Sequence, residues 1–276
     1  MAKTNNIETN KLTNQRLSIQ ISLNGLSFSI LDVSSQTIVA LKSFKKSRVL
    51  TPLELLDYLK FVIDTEHLKQ NTYSQITVIY RNDLSTLVPE TLFDETNIAD
   101  YLKFNNKILP SDFISYDQLS NGTVNVYVPL VNINNYIYDT FGAFTYKHYS
   151  TLFIEHLINL KDGLDSNMFV DVDENQFEIA VLKEQKLIFY NTFSYSTKED
   201  FIYYILFTAE QLQMNPETFP LVFSGLIDED SELYEIAYKY VRHISKGNQD
   251  LGFQFEPDMK QVVANNPILL TSFTCE

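Results

Sequence analysis

Val170–Phe193 reads VDVDENQFEIAVLKEQKLIFYNTF, and Ile21–Phe44 reads ISLNGLSFSILDVSSQTIVALKSF. The two stretches align without a gap at a constant offset of 149. Phe28 meets Phe177, Ile30 meets Ile179, Gln36 meets Gln185 and Phe44 meets Phe193, and most other apolar positions stay apolar. Apolar runs separated by short polar breaks predict three short strands joined by tight turns in each copy.

The segments C-terminal to the two copies also agree. TPLE (Thr51–Glu54) and STKE (Ser196–Glu199) have the capping-box pattern, and Pro52 falls at a first helical position, where its missing N–H costs nothing. Helices are predicted from Leu53 to near Glu66 and from Lys198 to near Gln213. Buried strands come next, QITVIY (75–80) and FPLVFS (219–224). A helical pattern then closes each half, SELYEIAYKYVRHI (231–244) in the second and a less definite one within 84–107 in the first.

The order β-β-β-α-β-α, met twice with matched caps, predicts an α/β chain of two lobes related by duplication. Each lobe is an antiparallel meander whose fourth strand arrives by a right-handed crossover and pairs in parallel. The polar run LKDGLDSN (160–167) is the expected boundary. The expected division is a tail at 1–16, lobe I at 17–162 and lobe II at 163–276. Lobe I carries an extra hairpin at about 113–129, signalled by Asn121-Gly122 between two strand runs. The helix after STKE is apolar round most of its circumference, so it is expected to pack on its own sheet and also on the other lobe or a second chain.

Composition narrows the function. The 276 residues are 45% hydrophobic and 20% charged, which is globular. A formal net charge of −14 repels a phosphate backbone and anionic lipid, so neither nucleic acid nor a membrane is an expected partner. The basic cluster Lys42, Lys45, Lys46 and Arg48 reads as a solvated loop. The single Cys275 allows no disulfide framework or zinc pattern. MAKTNNIETNKLTNQR has no apolar core of a signal peptide, and the apolar run Phe201–Ala209 is far short of the roughly 20 residues of a membrane span. A cytoplasmic protein is expected. Only seven glycines occur, at 25, 122, 142, 163, 225, 247 and 252, so no Gly-rich phosphate loop is present.

The duplicated pattern resembles the actin-like ATPase fold, a doubled ribonuclease-H-like domain, over nearly the whole chain after the tail. It is also similar to a bacterial family, domain-of-unknown-function family 3822. In the actin and heat-shock-70 type, the resemblance implies, the first hairpin of each lobe binds phosphate. One hairpin has Asp-x-Gly, the other Asp-x-Gly-Gly-Gly-Thr, and an apolar run ending in Gly-Gly meets adenosine. Carried onto this chain, the first Asp position falls on Ser22 and its Gly on Asn24, beside Gly25. In the second hairpin Asp171 takes the Asp position. Asp173, Glu174 and Asn175 stand where the glycines would be, and Gln176 stands for the Thr. The adenosine pattern becomes LVFSGL, with Ser224 and Leu226 around Gly225.

These departures work against ATP. Ser22 supplies no carboxylate for Mg²⁺-bound water. Asp173 and Glu174 put charge where phosphate needs bare backbone, and two like charges about 4 Å apart cost roughly 4 kcal/mol at an effective dielectric near 20. No Lys or Arg within the hairpins offsets them. Asp171 and Asp173 could instead hold a divalent cation with Asp228, Glu229 or Asp230. A solvated strand end accounts for them as well. His148 and His156 are poorly spaced for zinc, His67 and His243 suit helix C-termini, and Ser224 has no nucleophile-elbow context.

The expectation is a cytoplasmic, non-catalytic actin-like protein acting as a binding or assembly module. It has no cofactor, and a protein partner or self-association. The alternative is a nucleotide- or metal-dependent enzyme, or an ATP-binding protein, with a cleft rebuilt around Asp171, Asp173 and Ser224.

Overall fold

The structure is a computed structural model, and it describes residues 14–104, 107–160, 166–247 and 252–274. Most of the expected tail, the centre of the 160–167 boundary and Cys275 lie outside the described residues. Gln15 already opens the first strand.

The first meander is β1 (Gln15–Ser22), β2 (Gly25–Asp32) and β3 (Thr37–Lys45), followed by helix α1 (Pro52–Thr65) and strand β4 (Gln75–Tyr80). β4 returns beside β1 in parallel, as the crossover requires. Thr51 caps α1 with a complete capping box: its hydroxyl accepts from the Glu54 N–H, and the Glu54 carboxylate accepts from the Thr51 N–H. Thr51→Ala is expected to cost about 1 kcal/mol, readable as a lower urea midpoint with an unchanged slope. Leu55, Leu59, Val62 and Ile63 bury one face of α1 against Ile19, Ile21, Phe28 and Val78 of the sheet.

The helix expected within 84–107 is the short α2 (Ile98–Lys103), and a strand, β5 (Ser85–Pro89), precedes it. The hairpin β6 (Ser115–Gln118) and β7 (Thr123–Tyr127) follows. β5 pairs with β7 on the side that β6 leaves free, making a separate three-stranded sheet in the order β5-β7-β6. Val88 of β5 and Leu102 of α2 share one buried cluster with Val124 and Val126 of β7. Helix α3 (Val131–Phe141), strand β8 (Thr145–His148) and helix α4 (Tyr149–Ile158) follow, with β8 parallel to β4.

The second meander is β9 (Ser166–Val172), β10 (Gln176–Lys183) and β11 (Lys186–Ser194). Helix α5 (Lys198–Gln211), strand β12 (Pro220–Gly225), helix α6 (Glu232–Tyr240) and strand β13 (His243–Lys246) complete a five-stranded sheet, β11-β10-β9-β12-β13. The cap of α5 is Thr197 with Asp200, one residue later than the STKE reading: Thr197 is extended, and its hydroxyl accepts from the Asp200 N–H. α5 is not buried all round: Tyr203 is 58% and Phe207 42% exposed, and their rings stack on the outer face. The 231–244 pattern ends as helix at Tyr240, and Ile244 lies on β13.

The chain then returns to the first sheet. Strand β14 (Gln254–Phe255) pairs with β3, extending that sheet to β14-β3-β2-β1-β4-β8. After α7 (Lys260–Asn265) and α8 (Pro267–Thr271), Ser272 lies against Ser18 of β1 with hydroxyl oxygens 2.7 Å apart. Leu31, Ile38 and Ile79 of the first sheet share one buried cluster with Ala180 and Leu182 of the second, and with Phe153 of α4 and Leu269 of α8. The inner faces of the two sheets therefore close on α4 and α8. No described helix is long and apolar enough to cross a membrane.

The gapless offset of 149 does not hold through all three strands of the two meanders. Ser22 pairs with Gly25 across a two-residue turn, and the Asp173 N–H donates to the Gln176 carbonyl across another. The first hairpins thus match at an offset of 151, and so do the bulges at Ile30/Leu31 and Val181/Leu182. The third strands match at 149, because the loop 33–36 is longer than the turn Glu184-Gln185. Ser22 therefore corresponds to Asp173, and Asp171 to Gln20.

Candidate functional site

Strand alternation puts Asp171, Asp173 and Glu178 on the inner face of the second sheet, opposite the side that carries Val170, Val172, Phe177 and Ile179 into its own core. Asp171 on β9 stands directly across from Glu178 on β10. Like charges in that position repel. A cation from the other sheet answers them. Thr77, Ile79 and Arg81 share the inner face of β4, and Arg81 leaves the strand end with its N–H bonded to the Ile21 carbonyl.

Arg81 reaches all three carboxylates. Its Nη2 lies 2.5 Å from Glu178 Oε2 and 2.9 Å from Asp171 Oδ1, its Nε 3.2 Å from Glu178 Oε1, and its Nη1 3.4 Å from Asp173 Oδ2. Arg81 is 6% exposed and Asp171 0%. The Tyr149 hydroxyl donates to Asp171 Oδ1 at 2.6 Å, and the Tyr149 ring lies 4.0 Å beneath the guanidinium. The Ser224 hydroxyl donates to Asp171 Oδ2 at 2.7 Å. Lys45, at the end of β3, reaches Asp173 Oδ1 at 2.5 Å and Glu174 at 3.7 Å.

Burial pushes the Glu178 carboxyl up to about 7, against the pull of Arg81. Burial also raises Asp173, but Arg81 and Lys45 outweigh it and hold that carboxyl below its ordinary value. The guanidinium loses by burial and gains more from Glu178 and its other anionic neighbours, so it is held well above its ordinary value. With Glu178 protonated, the two buried carboxylates, Asp171 and Asp173, face Arg81 and Lys45.

Beside this cluster is a cleft of about 240 Å³ lined by Ser22, Gly25, Lys45, Arg81, Asp173, Glu174 and Leu226. Arg81 and Leu226 occupy matched places in the two halves, since the Leu226 N–H bonds the Val172 carbonyl as Arg81 bonds Ile21. Of the sequence candidates, Ser22, Gly25, Asp173 and Glu174 meet in this cleft. Asp171 is sealed beneath it. The Ser22 hydroxyl is turned to Asn24 Oδ1 at 2.5 Å. Ser224 lines a different pocket, of about 200 Å³, with Lys246 and Lys260. Gly25 and Gly225 have reasons inside the sheets: a Cβ would collide with the Phe44 carbonyl at Gly25 and with the Val172 carbonyl at Gly225, where φ is +80°.

The suggested cation partners are elsewhere. Asp228 pairs with Lys246 at 2.6 Å and accepts from Gln261, and Glu229 and Asp230 are exposed. Among the described residues no group of three or more His, Cys, Asp or Glu is placed to hold a metal ion. His148 is buried, and burial pushes its imidazole down to about 3. It caps α4, Nδ1 accepting from the Ser150 N–H at 3.2 Å and lying 2.7 Å from Ser150 Oγ.

The basic cluster at 42–48 is exposed, but Lys42 and Lys45 lie on β3 rather than in a loop. Lys42 pairs with Glu66, Lys45 with Asp173 and Arg48 with Glu54, while Lys46 sits over the Tyr58 ring. The hairpin carboxylates thus do have offsetting cations, Arg81 and Lys45. Neither these nor Glu178 and Tyr149 were among the sequence candidates. The usable signal was the parity of β4, which places an arginine on a face otherwise carrying Thr77 and Ile79.

A family model described as "Protein of unknown function (DUF3822)" matches residues 4–244. The chain belongs to that family. No curated protein matches it. A solved structure from Bacteroides thetaiotaomicron VPI-5482, described as having an actin-like ATPase fold and unknown function, is 22% identical. The match covers 98% of this chain and 99% of that one, with a TM-score of 0.79. A chain of the PilM–PilN type IV pilus biogenesis complex is 12% identical over 93% of this chain and 96% of that one, with a TM-score of 0.58. AlfA from a Bacillus subtilis plasmid, solved as a filament, is 9% identical over 95% and 99%, with a TM-score of 0.50. The DUF3822 chain therefore has the actin-like ATPase fold. In that fold the Arg81 cluster and its cleft lie where the first hairpins of the two halves face each other.

Proposed function

We propose that this DUF3822 protein is an actin-like protein that does not hydrolyse ATP and serves as a cytoplasmic binding or assembly module. In this reading the chain comprises two lobes, 17–162 and 163–276, that arose by duplication, with 254–274 strapping the second back onto the first. The observation that carries the reading is the position of Arg81. Its guanidinium fills the space among Asp171, Asp173 and Glu178, so all three carboxyl groups are committed to the protein's own cation. A phosphate entering the cleft would meet Asp173 and Glu174, with Lys45 already engaged by both. The PilM–PilN complex and the AlfA filament, similar in fold, are both assemblies. The fold alone carries no activity.

Thermal melts with and without Mg-ATP test this. A ligand at 100 times its Kd would stabilise the chain by about 2.7 kcal/mol. No shift is expected. A clear upward shift that disappears in Lys45→Ala overturns the reading.

A further inference from the structure

β5 and β11 are both edge strands, of different sheets, and they bound one groove. The groove holds about 530 Å³, within the roughly 300–1,000 Å³ typical of ligand sites. Ser85, Thr86 and Leu87 line one wall, and Tyr190, Asn191 and Thr192 the other.

The hydrogen-bond register shows which backbone groups face it. The Val128 N–H bonds the Leu84 carbonyl and the Glu90 N–H bonds the Gly122 carbonyl. In the antiparallel β5–β7 ladder this turns the backbone groups of Thr86 and Val88 toward β7, and those of Ser85 and Leu87 away from it. On the other wall the Tyr195 N–H bonds the Asn175 carbonyl, so Phe189, Asn191 and Phe193 face β10 while Tyr190 and Thr192 face away. The Thr192 N–H is turned to the adjacent Asn191 side chain at 3.0 Å, a local bond that an incoming carbonyl can replace.

An apolar groove would call for the stripe of an amphipathic helix. This one is walled by strand edges whose side chains, Leu87 and Tyr190 apart, are short and polar, and such edges match the backbone of an extended chain. The whole chain carries −14, so a cationic side chain is favoured in the occupant. We propose that the β5–β11 groove binds an extended segment of a partner protein, carrying a basic residue, by strand addition to one or both edges. This deepens the binding-module reading and rests on it only for the expectation of a protein partner. Hydrolysis of ATP would end that reading and leave the groove's occupancy unchanged, whereas failure of the peptide experiment would end the groove proposal alone.

The probe is a displayed library of random short peptides selected on the full chain. Proline-free, strand-prone peptides with a basic residue should be enriched. In hydrogen exchange they should slow the Ser85, Leu87 and Tyr190 amides. Because the Leu87 and Thr192 N–H groups point away from their own ladders, Leu87→Pro and Thr192→Pro are tolerable edge substitutions. At least one should weaken binding tenfold or more while the far-ultraviolet spectrum stays native. The same peptides N-methylated at alternate residues should lose binding to the unaltered protein, a readout that needs no variant to fold. No enrichment, protection confined to another surface, or binding indifferent to N-methylation would each overturn the proposal.

Discussion

Arg81→Ala is expected to lower the stability of the chain by about 3–5 kcal/mol at neutral pH, the usual consequence of removing one partner from a buried ion pair. For a chain of this size that is a fall of roughly ten degrees in Tm. The loss exceeds that of one salt bridge because three carboxylates share the cation. Removing the guanidinium leaves Asp171 without a cation in a site that Tyr149 covers, leaves Asp173 with Lys45 alone, and removes the cation that offsets burial at Glu178. Lys45 cannot substitute, since its ammonium reaches only Asp173 and Glu174. Arg81→Lys should recover part of the loss. It restores the charge but not the fork that meets Glu178 through Nε and Nη2 together. Urea unfolding at neutral pH measures both variants. A loss below about 1 kcal/mol for Arg81→Ala would mean the carboxylates are easily solvated, and Arg81 would no longer stand in the way of a ligand.

The two meanders, their crossovers and the α1 cap were legible in the sequence because each rests on local patterning. Period-two alternation fixes the faces of β2 and β10, and Thr51-Pro52 with Glu54 marks a helix start without tertiary help. The register was misread because the identities Phe28/Phe177 and Phe44/Phe193 come from strands whose true offsets differ, and a change in turn length between them is invisible to a gapless match. The strand at 85–89 was missed because its pairing partner, β7, lies some forty residues on. The site failed for the same reason on a larger scale. Cations were sought within the hairpins, yet Arg81 and Asp171 are 90 residues apart and meet only when the inner faces of the two sheets close. Residue type was no guide either, since Glu178 in QFEIAVL reads as an outward polar position on a half-buried strand. Its inner face is in fact buried against the other sheet.

Stability is expected to fall as pH rises from about 4.5 to about 7, with Glu178 the cause. Its carboxyl has an ordinary value of 4.5 and is pushed up to about 7 by burial. Across that window the native chain holds a proton that the unfolded chain has released, so raising the pH favours unfolding. The loss is complete above about pH 7 and amounts to about 3 kcal/mol. Asp173 acts in the opposite sense. Its folded value is depressed, so its stabilisation is present above the ordinary value of 3.8 and is lost as pH falls through the folded one. The two together place the best stability of this cluster in mildly acidic solution. Glu178→Gln removes the titrating group while keeping an oxygen for the Arg81 fork, and leaves Asp171 and Asp173 balanced by Arg81 and Lys45. That variant should lose the decline between about pH 4.5 and 7 and exceed the unaltered chain in stability above it. Urea midpoints across this range decide the matter. Parallel profiles for the two chains would show that Glu178 is ionised throughout, and that Arg81 and Lys45 carry three buried negative charges rather than two.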